Sequence, residues 1–347
     1  MTFDKRINAI RRSLMRSLTK SIGQAAPHQS SKLHAASEVK KILVIRPNHR
    51  LGNLLLITPL IQDISNHFPE AKIDLFVKGG LAPLVFKNYN QFHKFIELPK
   101  KPLKSLGKYL NGWLNVKSGN YDMVINVIDG SSSGRIAAKL ANAKFKFFGN
   151  ANTDFSAQFT DYGLMAKSPV YNFRYFLQES GFAPGSLPVP NLDLKLSRSE
   201  LSQGELLLKN LVQNNQKVIC LFTNATGDKI YDTTWWEDLY ARLESEFKDH
   251  TIIELLPVEK TSQLSFKAPT YFNPDIRISG SVIANAGVFI AADSGMMHLA
   301  CAVNAPTVGL FKVTGTDMYA PYHERSAAID TNTQSMDDII AAIKKII

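Results

Sequence analysis

Residues 287–311 read GVFIAADSGMMHLACAVNAPTVGLF. Two short apolar runs, GVFIAAD and PTVGLF, flank SGMMHLACAVN, a stretch of helical length. A hairpin needs only a few linking residues, whereas parallel strands need a crossover of about a dozen. The runs are apolar throughout rather than alternating, as in strands buried on both faces. The segment therefore predicts strand, crossover helix and parallel strand.

The same grammar extends in both directions. Toward the N-terminus of this unit lie KVICLF (217–222), the helical WWEDLYARLESEF, the strand TIIELLPV and the helical GSVIANA. After it, MDDIIAAIKKII reads as an amphipathic helix. An independent series opens at KILVI (41–45), followed by a helix over 54–68 that ends before Pro69. Strands are expected at 72–78, 94–98, 121–128 and 145–149, with helices at 83–89, 104–117 and 133–143. A further helix, VYNFRYFLQESG, precedes APGSLPVPNL, a Pro-rich linker. Strands alternating with helices imply parallel sheets covered on both faces. The expected organisation is an arm and linker over 1–40, one α/β domain over 41–190 and a second over 191–347.

Composition narrows the function. The chain has 347 residues, 45% hydrophobic and 20% charged, with a net charge of +10. Residues 1–40 hold eight basic and two acidic side chains, so the arm supplies six of those charges. The body is only mildly basic, and it shows no basic groove studded with aromatics, which argues against nucleic acid. Phe3, Ile7, Ile10, Leu14, Leu18 and Ile22 share one side of a basic helical stretch. Such a helix lies on an anionic membrane surface or packs on the body. Cys220 and Cys301 sit in apolar runs without metal-ligand spacing, as buried reduced thiols do. No run approaches the roughly 20 residues of a membrane span, and the N-terminus lacks a secretory core. The expected location is cytoplasmic, with peripheral contact at the inner membrane through residues 1–22.

Ligands in open α/β sheets sit at the carboxyl ends of strands. One such end is Asp293-Ser294-Gly295, where a strand passes into a helix carrying His298 one turn in. Helix-start amides suit phosphate, and Gly295 permits close approach. The plainer reading is that Asp293 and Ser294 cap the helix. A second end is FTNATGDKIYDTTWW, in which Lys229 would meet a diphosphate or remain a solvated loop lysine. A third is RPNHRLGN (46–53), a basic polar loop between a strand and a helix. It lacks the G-x-G-x-x-G of dinucleotide-binding enzymes, which disfavours an oxidoreductase. Gly52 is read as easing a tight turn into the helix.

Together these blocks resemble glycosyltransferase family 9, the ADP-heptose:lipopolysaccharide heptosyltransferases, across roughly residues 41–330. AADSGMMHLACAVNAPTVGLF is similar to the family's Asp-Ser/Thr-Gly-x-x-His-x-Ala segment, and the strand, basic loop and Thr-Pro-Leu helix over 41–60 to its opening. The resemblance implies a GT-B architecture: two Rossmann-like doubly wound domains facing across a cleft. It implies inverting transfer with no metal and no cofactor, from a nucleotide diphosphate sugar, ADP-heptose, to an anionic glycolipid acceptor. By position, Asp293, Ser294, Gly295, His298, Lys229 and Thr226 would contact the donor, and Glu259 its ribose. Arg46 and Arg50 would face the acceptor. The family's general base, an Asp, is replaced here by Asn53, and an amide accepts no proton at neutral pH. Either Asp129 or His49 supplies the base, or Asn53 merely orients the acceptor, or the chain binds without turnover. A sugar other than heptose also stays open.

Overall fold

The computed structural model describes residues 21–22 and 32–347, apart from 153, 186 and 215. The amphipathic stretch expected over residues 1–22 lies almost wholly outside the described residues.

The first sheet comprises β1 (Lys41–Arg46), β2 (Lys72–Lys78), β3 (Phe92–Leu98), β4 (Asn120–Asn126) and β5 (Asn142–Phe147). All pairings are parallel and the spatial order is β3-β2-β1-β4-β5. The second sheet holds β6 (Lys217–Phe222), β7 (His250–Leu255), β8 (Thr270–Tyr271), β9 (Val288–Ala292), β10 (Thr307–Phe311) and β11 (Ser326–Asp330). It too is parallel, in the order β11-β10-β9-β6-β7-β8. Renumbered from its own first strand this is the 3-2-1-4-5-6 order of dinucleotide folds. In both sheets the first strand runs through the middle, so the chain reverses direction beside it. Those reversals fall between β1 and β4 and between β6 and β9. A crevice opens at the carboxyl ends of such strand pairs, and all three loops singled out from sequence sit there.

The helix expected over 54–68 is two helices, α1 (Leu51–Leu55) and α2 (Thr58–His67). Pro59 occupies the first turn of α2. In an unbroken helix its ring would strike the carbonyl of Leu55 and its missing N–H would forfeit a bond. Thr58 Oγ1 instead donates to Leu55 O at 2.7 Å, sealing the break. The edge of the first sheet is flanked by α4 (Leu106–Ser118), after the short helix α3 (Ala82–Val85). α5 (Ser132–Leu140) follows β4, and α6 (Ser168–Glu179) packs on α2 and on Phe147. Sequence reading passed over α7 (Arg198–Val212), although Ser197 and Glu200 form a complete capping box at its start. α8 (Thr233–Glu246), α9 (Ile276–Ala284), α10 (Gly295–Ala302) and α11 (Met336–Ile346) complete the second unit.

The extended run between α6 and α7 is stitched to both sides. Asp193 N donates to Thr58 Oγ1, Tyr89 Oη to Asp193 O, and Leu194 N to Ala302 O. Arg277 on α9 is buried beneath it. Its guanidinium binds both carboxylate oxygens of Glu200 and the carbonyls of Leu84, Leu194 and Lys195. Cys220 and Cys301 are free and buried. Among the described residues no helix is long and apolar enough to cross a membrane.

Candidate active site

β6 and β9 are neighbours, so the loop after one meets the helix that follows the other. Lys229 Nζ donates to Asp293 Oδ2, and Thr314 Oγ1 donates to the same oxygen at 2.5 Å. His298 Nε2 lies 3.8 Å from the other carboxylate oxygen. Asp293 is buried, while the Lys229 side chain keeps 28% of its surface. The lysine is thus aimed by a sheltered carboxylate and open on its far side. Tyr319, on the short helix Thr316–Tyr319, lies near both, its ring 5.7 Å from Lys229 Nζ and 6.2 Å from the imidazole.

Ser294 caps α10, its hydroxyl accepting from Met297 N at 3.3 Å. The cap satisfies one first-turn amide; those of Gly295 and Met296 have no intrahelical acceptor. His298 is buried on the next turn. Burial, reinforced by Lys229 and opposed by Asp293, pushes its pKa down to about 4, so the ring is neutral at pH 7. It offers hydrogen bonds rather than charge.

The opposing wall comes from the first sheet. Arg46 ends β1, is buried, and donates from Nη2 to Asn53 Oδ1 at 2.8 Å. Among the described residues it has no carboxylate partner, and its Nε has no hydrogen-bond partner. Burial lowers its pKa to about 10, which leaves it a cation at pH 7. Arg46 therefore turns inward onto Asn53, whereas Arg50 is exposed at the loop surface. By occupying Oδ1, the guanidinium leaves the amide N–H2 of Asn53 as the group available to a ligand.

Gly52 has a different purpose from the turn expected of it. It is the second residue of α1, and a Cβ there would stand 2.9 Å from His298 Cδ2 and 3.4 Å from Gly295 Cα. A Cβ on Gly295 would stand 3.3 Å from Gly52 N. The starts of α1 and α10 thus meet glycine to glycine, which carries Asn53 to the first turn of α10.

The remaining candidates are distributed around this seam. Asp129 follows β4, and its Oδ1 accepts from Arg135 Nη2 at 2.6 Å. His49 is exposed; partial burial and then the nearby cations Lys78, Lys100 and Arg50 lower its pKa, favouring neutral imidazole. Thr226 is exposed immediately before the short helix Gly227–Lys229 and caps nothing with its side chain. Glu259 is exposed beyond β7. The buried acid in that region is Glu254, which accepts from Thr223 Oγ1 at 2.6 Å and Ser262 Oγ at 2.5 Å, supporting the loop after β6. Sequence reading missed it, although a lone glutamate inside TIIELLPV was a signal. It also missed Thr314 and Tyr319, which carry no local pattern.

Among the described residues no three His, Cys, Asp or Glu side chains group as metal ligands. A cavity of about 890 Å³ lies away from this seam, behind the extended run, against Gln62, Asn191 and Asn304. It holds none of the groups just described. Charge, helix-start amides and the strand reversals coincide instead at the seam.

Comparison with known proteins bears on the same region. The profile of glycosyltransferase family 9 (heptosyltransferase) matches residues 275–341, which contain Asp293, His298, Thr314 and Tyr319. Over this segment the chain resembles glycosyltransferase family 9. A relative, lipopolysaccharide heptosyltransferase 3 of Escherichia coli, is 24% identical over 288 residues, 78% of this chain and 83% of the relative. The fold matches a glycosyltransferase of family 9 from Veillonella parvula at a TM-score of 0.66 and 16% identity, over 89% of this chain and 90% of that one. It matches the E. coli ADP-heptose lipopolysaccharide heptosyltransferase II at 0.63 and 15%, over 88% and 99%. The two parallel-sheet units are those of a GT-B glycosyltransferase.

Proposed function

We propose that this glycosyltransferase moves a heptose from ADP-heptose onto the core of a lipopolysaccharide or lipooligosaccharide, with inversion and without a metal ion. The names of its relatives motivate the sugar and the acceptor. The observation that carries the reading is the convergence of Lys229, Thr314 and His298 on Asp293 at the first turn of α10. A departing diphosphate needs its developing charge stabilised by fixed donors. The amides of Gly295 and Met296 and the open side of Lys229 would provide them, with roughly half a positive charge from the helix start.

The acceptor hydroxyl must lose a proton as it attacks. Asn53 cannot take it; held by Arg46, its N–H2 orients the acceptor instead. Asp129 is engaged by Arg135, so we assign proton removal to His49, kept neutral at pH 7. Exposed Arg50 and Lys100 and half-buried Lys78 beside it would meet the acceptor's acidic groups. An acceptor anchored in lipid places the reaction at the cytoplasmic membrane face.

The test is thermal stabilisation by ADP, UDP, GDP and their sugars, since a ligand that binds only the folded state raises the melting point. ADP and ADP-heptose should stabilise most. Lys229→Ala should weaken ADP binding by on the order of ten- to a hundredfold, the worth of a charged hydrogen bond. Unchanged affinity would remove the donor site from this seam. Asn53 also suits a relative that binds without turnover. Tight ADP-heptose binding with no ADP release in the presence of core acceptors would establish that reading.

A further inference from the structure

Outside the seam, α4 presents an unusual face. Gly112, Val116 and Trp113 turn inward, the tryptophan against Phe76 at 5.2 Å. Leu106, Leu110 and Leu114, spaced four residues apart, turn outward and are 54%, 59% and 62% exposed. Leu103, in the turn before the helix, is 88% exposed and extends the row. Leucines at this spacing form one stripe along a helix. Here the stripe is covered by nothing among the described residues.

The charges on this segment have one sign. Residues 99–119 contain Lys100, Lys101, Lys104, Lys108 and Lys117 and no aspartate or glutamate. All five lysines are exposed. The exposed leucines of α7, Leu201 and Leu206, make the contrast: Glu200, Glu205 and Lys209 surround them, with Glu205 and Lys209 paired. A row of outward leucines on an all-basic segment matches an anionic bilayer, whose headgroups attract lysine and whose acyl boundary takes the leucines. The patch also runs into the loop after β1. A Cβ on Gly79 would lie 2.9 Å from Lys100 Cε and 3.3 Å from His49 Cβ, so Lys100 and His49 share one corner.

We propose that the outer face of α4 and the turn before it dock on an anionic phospholipid bilayer, setting the 46–53 loop at headgroup level. This surface lies outside residues 1–22 and depends on neither the donor nor the acceptor.

The test uses the whole chain and sedimentation with vesicles of phosphatidylglycerol and phosphatidylethanolamine, against vesicles of phosphatidylcholine alone. The wild type should favour the anionic vesicles and release at high salt. The Leu106→Gln, Leu110→Gln, Leu114→Gln triple variant should bind at least tenfold more weakly with its melting point kept. Lys101→Glu, Lys104→Glu, Lys108→Glu should lose the preference for anionic vesicles. Leu206→Gln should bind as the wild type does. An environment-sensitive dye on Leu110→Cys should shift to the blue on vesicles, and on Leu206→Cys should not. Full binding by the folded leucine variant would assign membrane contact to another segment and overturn the proposal. So would a concentration-dependent dimer that the leucine substitutions dissociate, with no vesicle binding by the wild type.

Discussion

Gly52→Ala probes whether the meeting of α1 and α10 matters for transfer. The added Cβ would stand 2.9 Å from His298 Cδ2, at least 0.5 Å inside ordinary van der Waals contact, which begins at 3.4 Å. The imidazole has little room to retreat, being buried between Asp293 and Tyr319. Overpacking of this kind costs about 1–3 kcal/mol. At 1.4 kcal/mol per factor of ten, that is roughly a five- to 150-fold penalty on the state in which the helix starts touch. Alanine's helix preference over glycine, about 1 kcal/mol, acts whether or not they touch. It offsets the loss in overall stability but not the loss in approach. We therefore expect kcat/KM for sugar transfer to fall by about ten- to a hundredfold, while the melting temperature moves by only a few degrees. In a His298→Ala background the same substitution should cost much less, because its obstacle is gone. A Gly52→Ala enzyme with kcat/KM within twofold of wild type would refute the reasoning.

Three further predictions follow from the buried charges. His298 is driven from 6.5 to about 4, so below pH 6.5 the unfolded chain binds a proton that the folded chain refuses. This stability is complete above pH 6.5 and declines as the pH falls toward 4, by about 1.4 kcal/mol per pH unit. Burial lowers His67 and His323 as well, so the urea midpoint should fall steeply between pH 6.5 and 5; a flat profile contradicts this. Asn53→Asp places a carboxylate against Arg46, and the charge-assisted bond should raise stability by about 1 kcal/mol in urea unfolding, while transfer slows because the amide donor is lost. A lowered midpoint would show that Arg46 does not need an anion. Arg277→Met strands three carbonyls and leaves Glu200 to Lys87, Asn88 and Ser197, and should cost about 3 kcal/mol by the same assay, roughly 1 for each carbonyl. A loss below 1 kcal/mol would mean the clasp is dispensable.

Nine of the eleven strands in the described residues were legible, the clearest as short apolar runs such as KVICLF or KILVI bounded by polar residues; β8, of two residues, and β11, reading SAAID, carry too weak an apolar signal and were missed. The break between α1 and α2 was equally present in the sequence, in Pro59, but the apolar periodicity on both sides hid it. Strand order was not legible, since it depends on which crossover passes over which face. That order places Lys229 against Asp293 across 64 positions. Local sequence located both residues on loops at strand ends and could not say that they touch. The Arg46–Asn53 bond spans only seven positions, yet it needs the loop between them to fold back. Ser294 shows the opposite case, a residue read as both cap and ligand whose capping geometry is plain in the structure.

Arg46 sets a fixed positive field in the middle of the molecule, with a dipole rather than an opposite charge beside it. Where surrounding material polarises weakly, such a field persists over several ångströms. Arriving molecules would then be sorted by sign before they are sorted by shape. Compounds that copy only the outline of a sugar should bind poorly here, and useful inhibitors will need to bring their own negative charge to this point.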